Sequence, residues 1–175
     1  MLSSFSLRHA VALGAALACL SVRAAPVLEV RESAALAASP AAVWKLIGRY
    51  GGLHGWHPAV ADTRISRGKD NDPGAVRDIT VKDGAHIVEE LLAYDGKGRS
   101  MRYRIVESPI PVKNYSATLR VQPEGKGSRV VWVGRFEATG EGQEARDKVR
   151  ALFSDIYKAG FDGLRTRLEE GGGGK

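Results

Sequence analysis

The fold is decided by residues 39–58, which read SPAAVWKLIGRYGGLHGWHP. Ser39 can accept a hydrogen bond from a free backbone N–H group at a helix start, and Pro40 suits the first helical position because no donor is lost there. The residues that follow place apolar side chains at helical spacing, and these are Val43, Trp44 and Ile47. The stretch therefore predicts a short helix with one apolar face.

Glycines end this helix, and a second short segment follows. Gly48 and the pair Gly51–Gly52 interrupt the helical pattern, and Trp56 and His57 come directly before Pro58. Because strand-like sequence lies on both sides, we expect a pair of short helices that forms one wall and the gate of a ligand cavity.

The first 24 residues are predicted to be a signal peptide. A weak basic region at residues 8–9 precedes an apolar run at residues 10–20, and small residues up to Ala24 fit a cleavage site. The run is shorter than the about 20 residues that cross a membrane. We therefore expect a periplasmic or secreted protein, cleaved near Ala24. A buried N-terminal helix, or a lipoprotein attached through Cys19, is the alternative interpretation.

Composition indicates one globular domain, with 43% hydrophobic and 26% charged residues. Cys19 is the only cysteine, so the mature chain would have no thiol for a disulfide or a metal. The predicted domain covers residues 25–170, which is long enough for a packed core. The glycine-rich residues 171–175 are predicted to be a disordered tail.

The formal net charge is +6 at pH 7, yet basic residues alternate with acidic ones instead of forming a block. A nucleic-acid site is therefore not expected. A solvated surface of mixed charge accounts for the pattern. Weak attraction to an anionic membrane surface or to an acidic periplasmic protein stays open.

Alternating apolar and polar residues predict seven antiparallel strands. One strand precedes the helix pair and six follow it, separated by turn signals such as Asp83–Gly84 and Asp95–Gly98. The predicted strands lie within residues 27–37, 60–66, 75–82, 85–94, 101–105, 115–122 and 130–137.

The apolar period changes near the C-terminus and predicts one long helix from Glu144 to Glu170. Its predicted apolar stripe consists of Val149, Leu152, Phe153, Ile156, Gly160, Phe161, Leu164 and Leu168. A single long helix against a curved sheet leaves space between them, and such space holds apolar ligands.

Several motifs in this order resemble the SRPBCC superfamily, which has the START-like helix-grip fold. They are Ser39-Pro40-x-x-Val43-Trp44, Trp56-His57-Pro58, Gly74-Ala-Val-Arg77, Glu89 with Tyr94-Asp95, Tyr103, and Val130-x-Trp132-x-x-x-Phe136. The branch that the chain resembles is the polyketide cyclase/dehydrase and lipid-transport group. It is also similar to small periplasmic proteins encoded beside bacterial methanol dehydrogenase.

The resemblance implies an α+β helix-grip fold, in which a curved antiparallel sheet of about seven strands wraps around a long C-terminal helix. A short helix pair follows the first strand, and a hydrophobic cavity lies between sheet and long helix. No single activity is implied, because members include cyclases, lipid carriers, hormone receptors and co-chaperones.

Arg77 is a charged residue on an apolar strand face and needs a partner, for which Glu89 on the next strand is the candidate. A turn at Asp83–Gly84 places Glu89 opposite Asp78 or one step aside, so direct contact with Arg77 is undecided. The two residues either anchor the polar group of an otherwise apolar ligand or form a structural pair at the rim of the sheet.

Trp56 and His57 are candidates for the mouth of the cavity. A histidine beside an aromatic ring can act as an acid or base near neutral pH, so His57 and Glu89 are the weak catalytic candidates. The alternative is that His57 hydrogen-bonds backbone in the turn before Pro58. No metal is expected, because His54 and His57 lack further ligands, and no cofactor motif is present.

Three further aromatic residues lie on predicted inward strand faces, namely Tyr103, Tyr115 and Trp132. An aromatic ring with a polar tip suits a wall that orients one ligand group, although such residues are equally normal in a core. Together with Trp56, His57, Arg77 and Glu89 they form the predicted ligand-binding set.

The absence of a catalytic constellation in the sequence favours an exported binding protein, and enzymatic activity is left uncertain. The ligand would be a small hydrophobic or amphipathic molecule, such as a lipid, a polyketide-like molecule or an aromatic. One alternative is a cyclase- or dehydratase-like enzyme using the same cavity, although export would separate it from substrates made on cytoplasmic carrier proteins. The other is a periplasmic accessory protein whose helix pair docks a partner enzyme such as methanol dehydrogenase.

Overall fold

The computed structural model describes residues 26–172. The predicted signal peptide and the last three residues of the predicted tail lie outside this range. The described elements are β1 (Leu28–Leu36), α1 (Pro40–Ile47), a 3₁₀ helix (Tyr50–Gly55), β2 (Val60–Arg67), β3 (Val76–Val81), β4 (His86–Asp95), β5 (Ser100–Glu107), β6 (Val112–Glu124), β7 (Gly127–Ala138) and α2 (Gly142–Gly172).

All seven strands belong to one antiparallel sheet with the order β1-β7-β6-β5-β4-β3-β2. Consecutive strands from β2 to β7 are neighbours, as hairpin connections dictate. β1 instead pairs with β7, so the first and second strands of the chain occupy the two edges of the sheet. The helix pair that connects them therefore crosses from one edge to the other.

The start of α1 confirms the predicted helix signal. Ser39 is extended, and its hydroxyl accepts a hydrogen bond from the backbone N–H of Ala42 at 3.3 Å. Pro40 occupies the first turn, and the buried residues of the helix are Val43 and Ile47. The helix ends at Gly48, whose backbone N–H donates to the Trp44 carbonyl.

The long helix α2 covers the concave face of the sheet and buries an aromatic stripe. Its buried positions include Val149, Phe153, Tyr157, Phe161 and Leu164, spaced three or four residues apart. The prediction that Leu152 belongs to this stripe is wrong, because its side chain is 40% exposed. The buried face of a helix on a sheet is narrower than the broad apolar stripe read from the sequence.

Both ends of α2 extend past the predicted limits Glu144 and Glu170. The helix begins at Gly142 and continues through Gly171 and Gly172, two positions of the predicted disordered tail. Glycine disfavours a helix interior by only about 1 kcal/mol, so an established helix can extend over two of them.

The architecture confirms the predicted α+β helix-grip class. Within residues 26–172, no helix combines the length and the hydropathy needed to cross a membrane.

Candidate ligand-binding site

A cavity of about 100 Å³ lies between α2 and the concave face of the sheet. Residues of β2 to β7 form its floor, α2 forms its roof, and the 3₁₀ helix with the residues after it closes one side. The rim consists of half-buried aliphatic side chains, namely Val81, Ile87, Ile105, Ile110 and Ile156. The predicted cavity is therefore present, and it is small.

Arg77 and Glu89 face each other directly across β3 and β4. The Val81 N–H still donates to the Ala85 carbonyl, so the loop that this bond closes has three residues, Lys82–Gly84, with Gly84 in the left-handed region at a φ of 92°. A three-residue loop with a left-handed glycine shifts the register by one position relative to the two-residue turn expected from Asp83–Gly84. That shift moves Glu89 from the position opposite Asp78 to the position opposite Arg77.

The Arg77–Glu89 ion pair is buried in the cavity wall and not at the rim of the sheet. Arg77 is 3% and Glu89 is 6% exposed. Arg77 Nε and Nη2 both donate to Glu89 Oε2, at 2.8 and 2.6 Å. Two charge-assisted bonds to one oxygen hold the carboxylate in a fixed orientation.

Arg77 also fastens the 3₁₀ helix to the sheet. Its Nη1 donates to the backbone carbonyl of Tyr50 at 2.6 Å. The guanidinium lies 4.2 Å from the ring centre of Tyr50 and 4.9 Å from that of Tyr103. Two aromatic faces and three hydrogen bonds thus compensate for the desolvation of this cation.

Glu89 lines the cavity and, within the described chain, retains one carboxylate oxygen without a hydrogen bond. Both bonds from Arg77 end on Oε2, and Oε1 accepts no hydrogen bond from any residue between 26 and 172. Burial raises the pKa of Glu89, and the neighbouring Arg77 guanidinium opposes this effect. This oxygen is an available hydrogen-bond acceptor on a residue that lines a mainly apolar cavity.

The aromatic residues of the wall form two hydrogen-bonded pairs. Trp132 Nε1 donates to the Tyr103 hydroxyl at 2.8 Å, and the hydroxyls of Tyr115 and Tyr157 lie 2.7 Å apart. The rings of Trp132 and Tyr157 stack with centres 4.4 Å apart. Burial raises the pKa of all three tyrosines, so they remain neutral phenols.

Gly134 on β7 makes room for the Tyr115–Tyr157 pair. A Cβ atom at this position would approach the Tyr157 hydroxyl far inside van der Waals contact. Tyr157 itself was missed by the sequence reasoning, which counted only apolar residues on α2. Its spacing of four residues from both Phe153 and Phe161 was the signal that could have identified it.

His57 is bound to backbone through both ring nitrogens, although it belongs to the cavity wall. Nδ1 accepts from the backbone N–H of Ala59 at 3.3 Å, and Nε2 lies 3.0 Å from the Ile156 carbonyl of α2. A carbonyl only accepts, so Nε2 carries a proton; Nδ1 accepts and therefore carries none, so the ring is neutral. Burial also lowers the pKa of His57, which favours the neutral ring. This arrangement matches the interpretation of His57 as a packing element and leaves no ring nitrogen for a ligand.

Trp56 lies behind the wall instead of in it. Its ring packs 5.7 Å from that of Trp132, and its backbone carbonyl lies against Gly163 of α2. Gly160 likewise has no space for a side chain, because Trp132, His57 and Trp56 all crowd it. Two helical glycines thus let the segment Trp56–Pro58 approach the α2 backbone. Trp56 supports the site without lining it.

The structure brings six of the seven predicted site residues to the cavity, namely His57, Arg77, Glu89, Tyr103, Tyr115 and Trp132. It adds Tyr157, Leu53 and the rim residue Ile110. Among residues 26–172, no group of three or more histidine, cysteine or acidic side chains is arranged to hold a metal ion.

Comparison with known sequences gives one family match over most of the chain. A profile of the family described as polyketide cyclase / dehydrase and lipid transport matches residues 27–169. MLP-like protein 423 of Arabidopsis thaliana is 33% identical over 82 residues, which are 43% of this chain and 53% of that protein. The chain therefore spans about half the length of this curated relative.

Many solved structures share the arrangement of strands and helices, among them the following two. XoxI from Bacillus cereus is 30% identical with a TM-score of 0.71, covering 79% of this chain and 94% of that one. The Zhui aromatase/cyclase from Streptomyces sp. R1128 is 18% identical with a TM-score of 0.70, covering 82% of this chain and 94% of that one. At 18% identity the second likeness concerns the fold alone.

Proposed function

Since the chain belongs to the polyketide cyclase/dehydrase and lipid transport family, we propose that it binds a small, mainly apolar ligand in the cavity under α2 and leaves it chemically unchanged. One observation carries this proposal. The cavity wall is mainly aliphatic and aromatic, and the free Oε1 atom of Glu89 provides a fixed acceptor for one polar group of the ligand.

The cavity volume sets the size of the ligand. An engineered cavity of about 150 Å³ in another protein binds benzene, whereas pockets for drug-sized ligands have roughly 300–1,000 Å³. A cavity of about 100 Å³ suits a molecule close to the size of a single ring. A lipid chain fits only if the aliphatic rim side chains move apart.

The polar atoms of the wall indicate a hydroxyl group on the ligand. Glu89 Oε1 accepts, and the Tyr103 hydroxyl, which already accepts from Trp132, donates to no other group in the described chain. A ligand hydroxyl can donate to the carboxylate and accept from the tyrosine at the same time. The ligand class that fits is therefore a small phenol or a cyclic alcohol.

One observation favours a second candidate, a cyclase- or dehydratase-like reaction. Glu89 lines the cavity, and burial raises the pKa of this carboxyl, as is useful for a general base. His57 offers no help, because backbone groups occupy both of its nitrogens. Glu89→Gln would abolish turnover of a substrate by such an enzyme, and an unchanged rate would reject the role.

Export is part of the proposal and is supported by the leader-like pattern of residues 1–24. The expected mature chain begins after Ala24, in the periplasm or outside the cell. Mass measurement and N-terminal sequencing of the protein from its own source test this, and an intact Met1 in the native protein would contradict it.

A matched pair of ligands tests the binding site. Calorimetric titration, supported by tryptophan fluorescence because Trp132 lies in the wall, should show p-cresol binding more tightly than toluene. A hydrogen bond to a charged group contributes about 1.5–3 kcal/mol, so we expect a difference of at least about tenfold. Glu89→Gln should reduce this difference.

Filling the cavity provides the control. Ala59 lies in the wall, whereas Ala61 on β2 is exposed. Ala59→Leu should abolish binding of both probes, and Ala61→Leu should leave it unchanged. If neither probe binds, and native mass spectrometry of the protein from its own source shows no retained small molecule, the proposal is wrong.

A further inference from the structure

The outer face of the sheet, on the side away from α2, carries a groove lined by arginines. Side chains from β1, β5, β6 and β7 enclose a volume of about 540 Å³. Its arginines are Arg31, Arg102, Arg120 and Arg135, and its floor contains Ser116, Thr118, Val131 and Val133. This face is separate from the ligand cavity, which lies on the concave side.

The register of the strands sets the spacing of these charges. Arg102, Thr118, Val133 and Arg31 are successive partners across β5, β6, β7 and β1. Neighbouring strands are about 4.8 Å apart, so two small or β-branched residues separate two guanidinium groups. The long arginine side chains therefore surround shorter side chains, and another protein surface can contact both.

Much of this positive charge lacks compensation. Arg31 and Arg135 share one carboxylate, that of Glu29, at 3.8 and 2.8 Å. Arg102 and Arg120 form no ion pair with any residue of the described range. Four guanidinium groups thus line a groove whose lining includes no acidic residue of the described chain, and Glu29 beside it is the ion-pair partner of only two of them.

The type of basic residue indicates the kind of partner. No lysine of residues 26–172 lines the groove. Arginine is enriched in protein–protein interfaces and lysine is depleted, because the planar guanidinium binds a carboxylate with two parallel bonds and is weakly hydrated. Attraction to a membrane surface requires only positive charge, for which lysine serves equally. No aromatic side chain lines the groove for stacking on nucleic-acid bases.

We propose that this groove is a docking surface for an acidic patch on a partner protein, whose carboxylates bind between Arg31, Arg102, Arg120 and Arg135. The sequence reasoning placed protein docking on the helix pair, whereas the uncompensated charge lies on the opposite side of the molecule. Docking on the outer face leaves α2 and the cavity rim free, so a ligand can be held while the partner is bound. The contact is electrostatically steered and weakens with ionic strength.

An acidic peptide serves as the probe, because its carboxylates reproduce the proposed chemistry. A twelve-residue peptide of alternating glutamate and glycine is titrated into the ¹⁵N-labelled protein at low salt. Amide signals of β1, β5, β6 and β7 should shift, and signals around the cavity should stay in place. Vesicles with 30% phosphatidylserine are tested in parallel by co-sedimentation.

Two pairs of charge reversals separate a specific groove from net charge. Arg102→Glu with Arg120→Glu should weaken peptide binding about tenfold or more, since two attractive contacts become repulsive. Lys69→Glu with Lys97→Glu changes the net charge equally in exposed loops and should change binding less than twofold. Arg102→Lys with Arg120→Lys keeps the charge but loses the planar fork, and should give an intermediate affinity.

Three results would overturn the proposal. They are equal losses in the two charge-reversal variants, peptide-induced shifts outside the four strands, or vesicle binding that depends on Arg102 and Arg120 without peptide binding. The last result would assign the groove to a membrane surface. All positions are exposed, so far-UV circular dichroism and the amide spectrum should show an unchanged fold in every variant.

Discussion

At the scale of single residues, Arg77 and Glu89 have a structural role and, in the proposed function, a binding role as well. Arg77 binds one carboxylate oxygen, while the other accepts no hydrogen bond within the described chain. The pair is structural, although it lies in the cavity wall and not at the rim of the sheet. That it anchors a polar group of a ligand stays a prediction. The guanidinium of Arg77 holds the Tyr50 carbonyl, and the same group fixes the orientation of the Glu89 carboxylate.

Removal of the Glu89 carboxylate should destabilise the protein strongly. Glu89→Ala leaves the Arg77 cation buried without its partner, and we expect a loss of about 3 kcal/mol or more in the free energy of unfolding. Glu90 is the matched control, because it is the next residue and pairs with the exposed Arg104. Glu90→Ala should cost less than about 1 kcal/mol. Equal losses of unfolding free energy in urea would show that burial of the Arg77–Glu89 pair adds nothing to the cost of removing the carboxylate.

The His57 imidazole should make stability depend on pH. Its pKa is lowered in the folded protein by burial and, to a smaller extent, by Arg77, so the unfolded chain binds the proton more readily. The stabilising contribution is complete above the ordinary histidine pKa of about 6.5 and is lost as the pH falls below it.

Urea unfolding at pH 7.5 and pH 5.5 checks this expectation. The wild-type protein should lose more stability between the two pH values than His57→Gln, whereas His86→Gln should behave as wild type, since His86 is exposed. An identical pH dependence in wild type and His57→Gln would contradict the assignment.

At the scale of elements, the contact between α2 and the segment Trp56–Pro58 depends on missing side chains. Gly160 and Gly163 are poor helix formers, yet each lies where a Cβ atom would collide with this segment. These two positions thus give up helix propensity, and in return the two backbones can approach closely. That approach brings His57 within hydrogen-bond distance of the Ile156 carbonyl.

Alanine substitutions in α2 should have opposite effects at two glycines. Gly163→Ala places a methyl group against the Trp56 carbonyl, and we expect destabilisation by about 1–3 kcal/mol. Gly171→Ala has open space around it and should be neutral or stabilising by up to about 1 kcal/mol. Thermal unfolding of both variants gives the comparison, and stabilisation at Gly163 would show that the contact is loose.

At the scale of the whole molecule, ligand binding and stability are linked because the cavity exists only in the folded state. At a p-cresol concentration one hundred times its Kd, the folded state should gain about 2.7 kcal/mol. For a domain of this size the expected rise in Tm is roughly 5–10 °C. Ala59→Leu should lose this rise, and Ala61→Leu should retain it. An equal rise in both variants would place the ligand elsewhere.

The strand pattern and the helix order were predictable because alternation and period depend only on neighbouring residues. The register of β3 and β4 was not, because the length of the Lys82–Gly84 loop depends on the left-handed conformation of Gly84. Tyr157 was not predicted because its hydroxyl group excluded it from a pattern of purely apolar residues. The role of His57 required the carbonyl of Ile156, which lies 99 residues further along the chain. Contacts between distant segments are the part that local patterns do not contain.

The strand order also determines when the protein can fold during its synthesis. β1 is made first, yet it is hydrogen-bonded to β7, which is the last strand to be made. Until residues 127–138 have left the ribosome, β1 has no partner strand, and the concave face has no cover until α2 follows. Pairing of ends so far apart in sequence is slow even in the complete chain. The nascent protein therefore stays open until its synthesis is almost complete, which is compatible with the proposed export if the chain crosses the membrane unfolded.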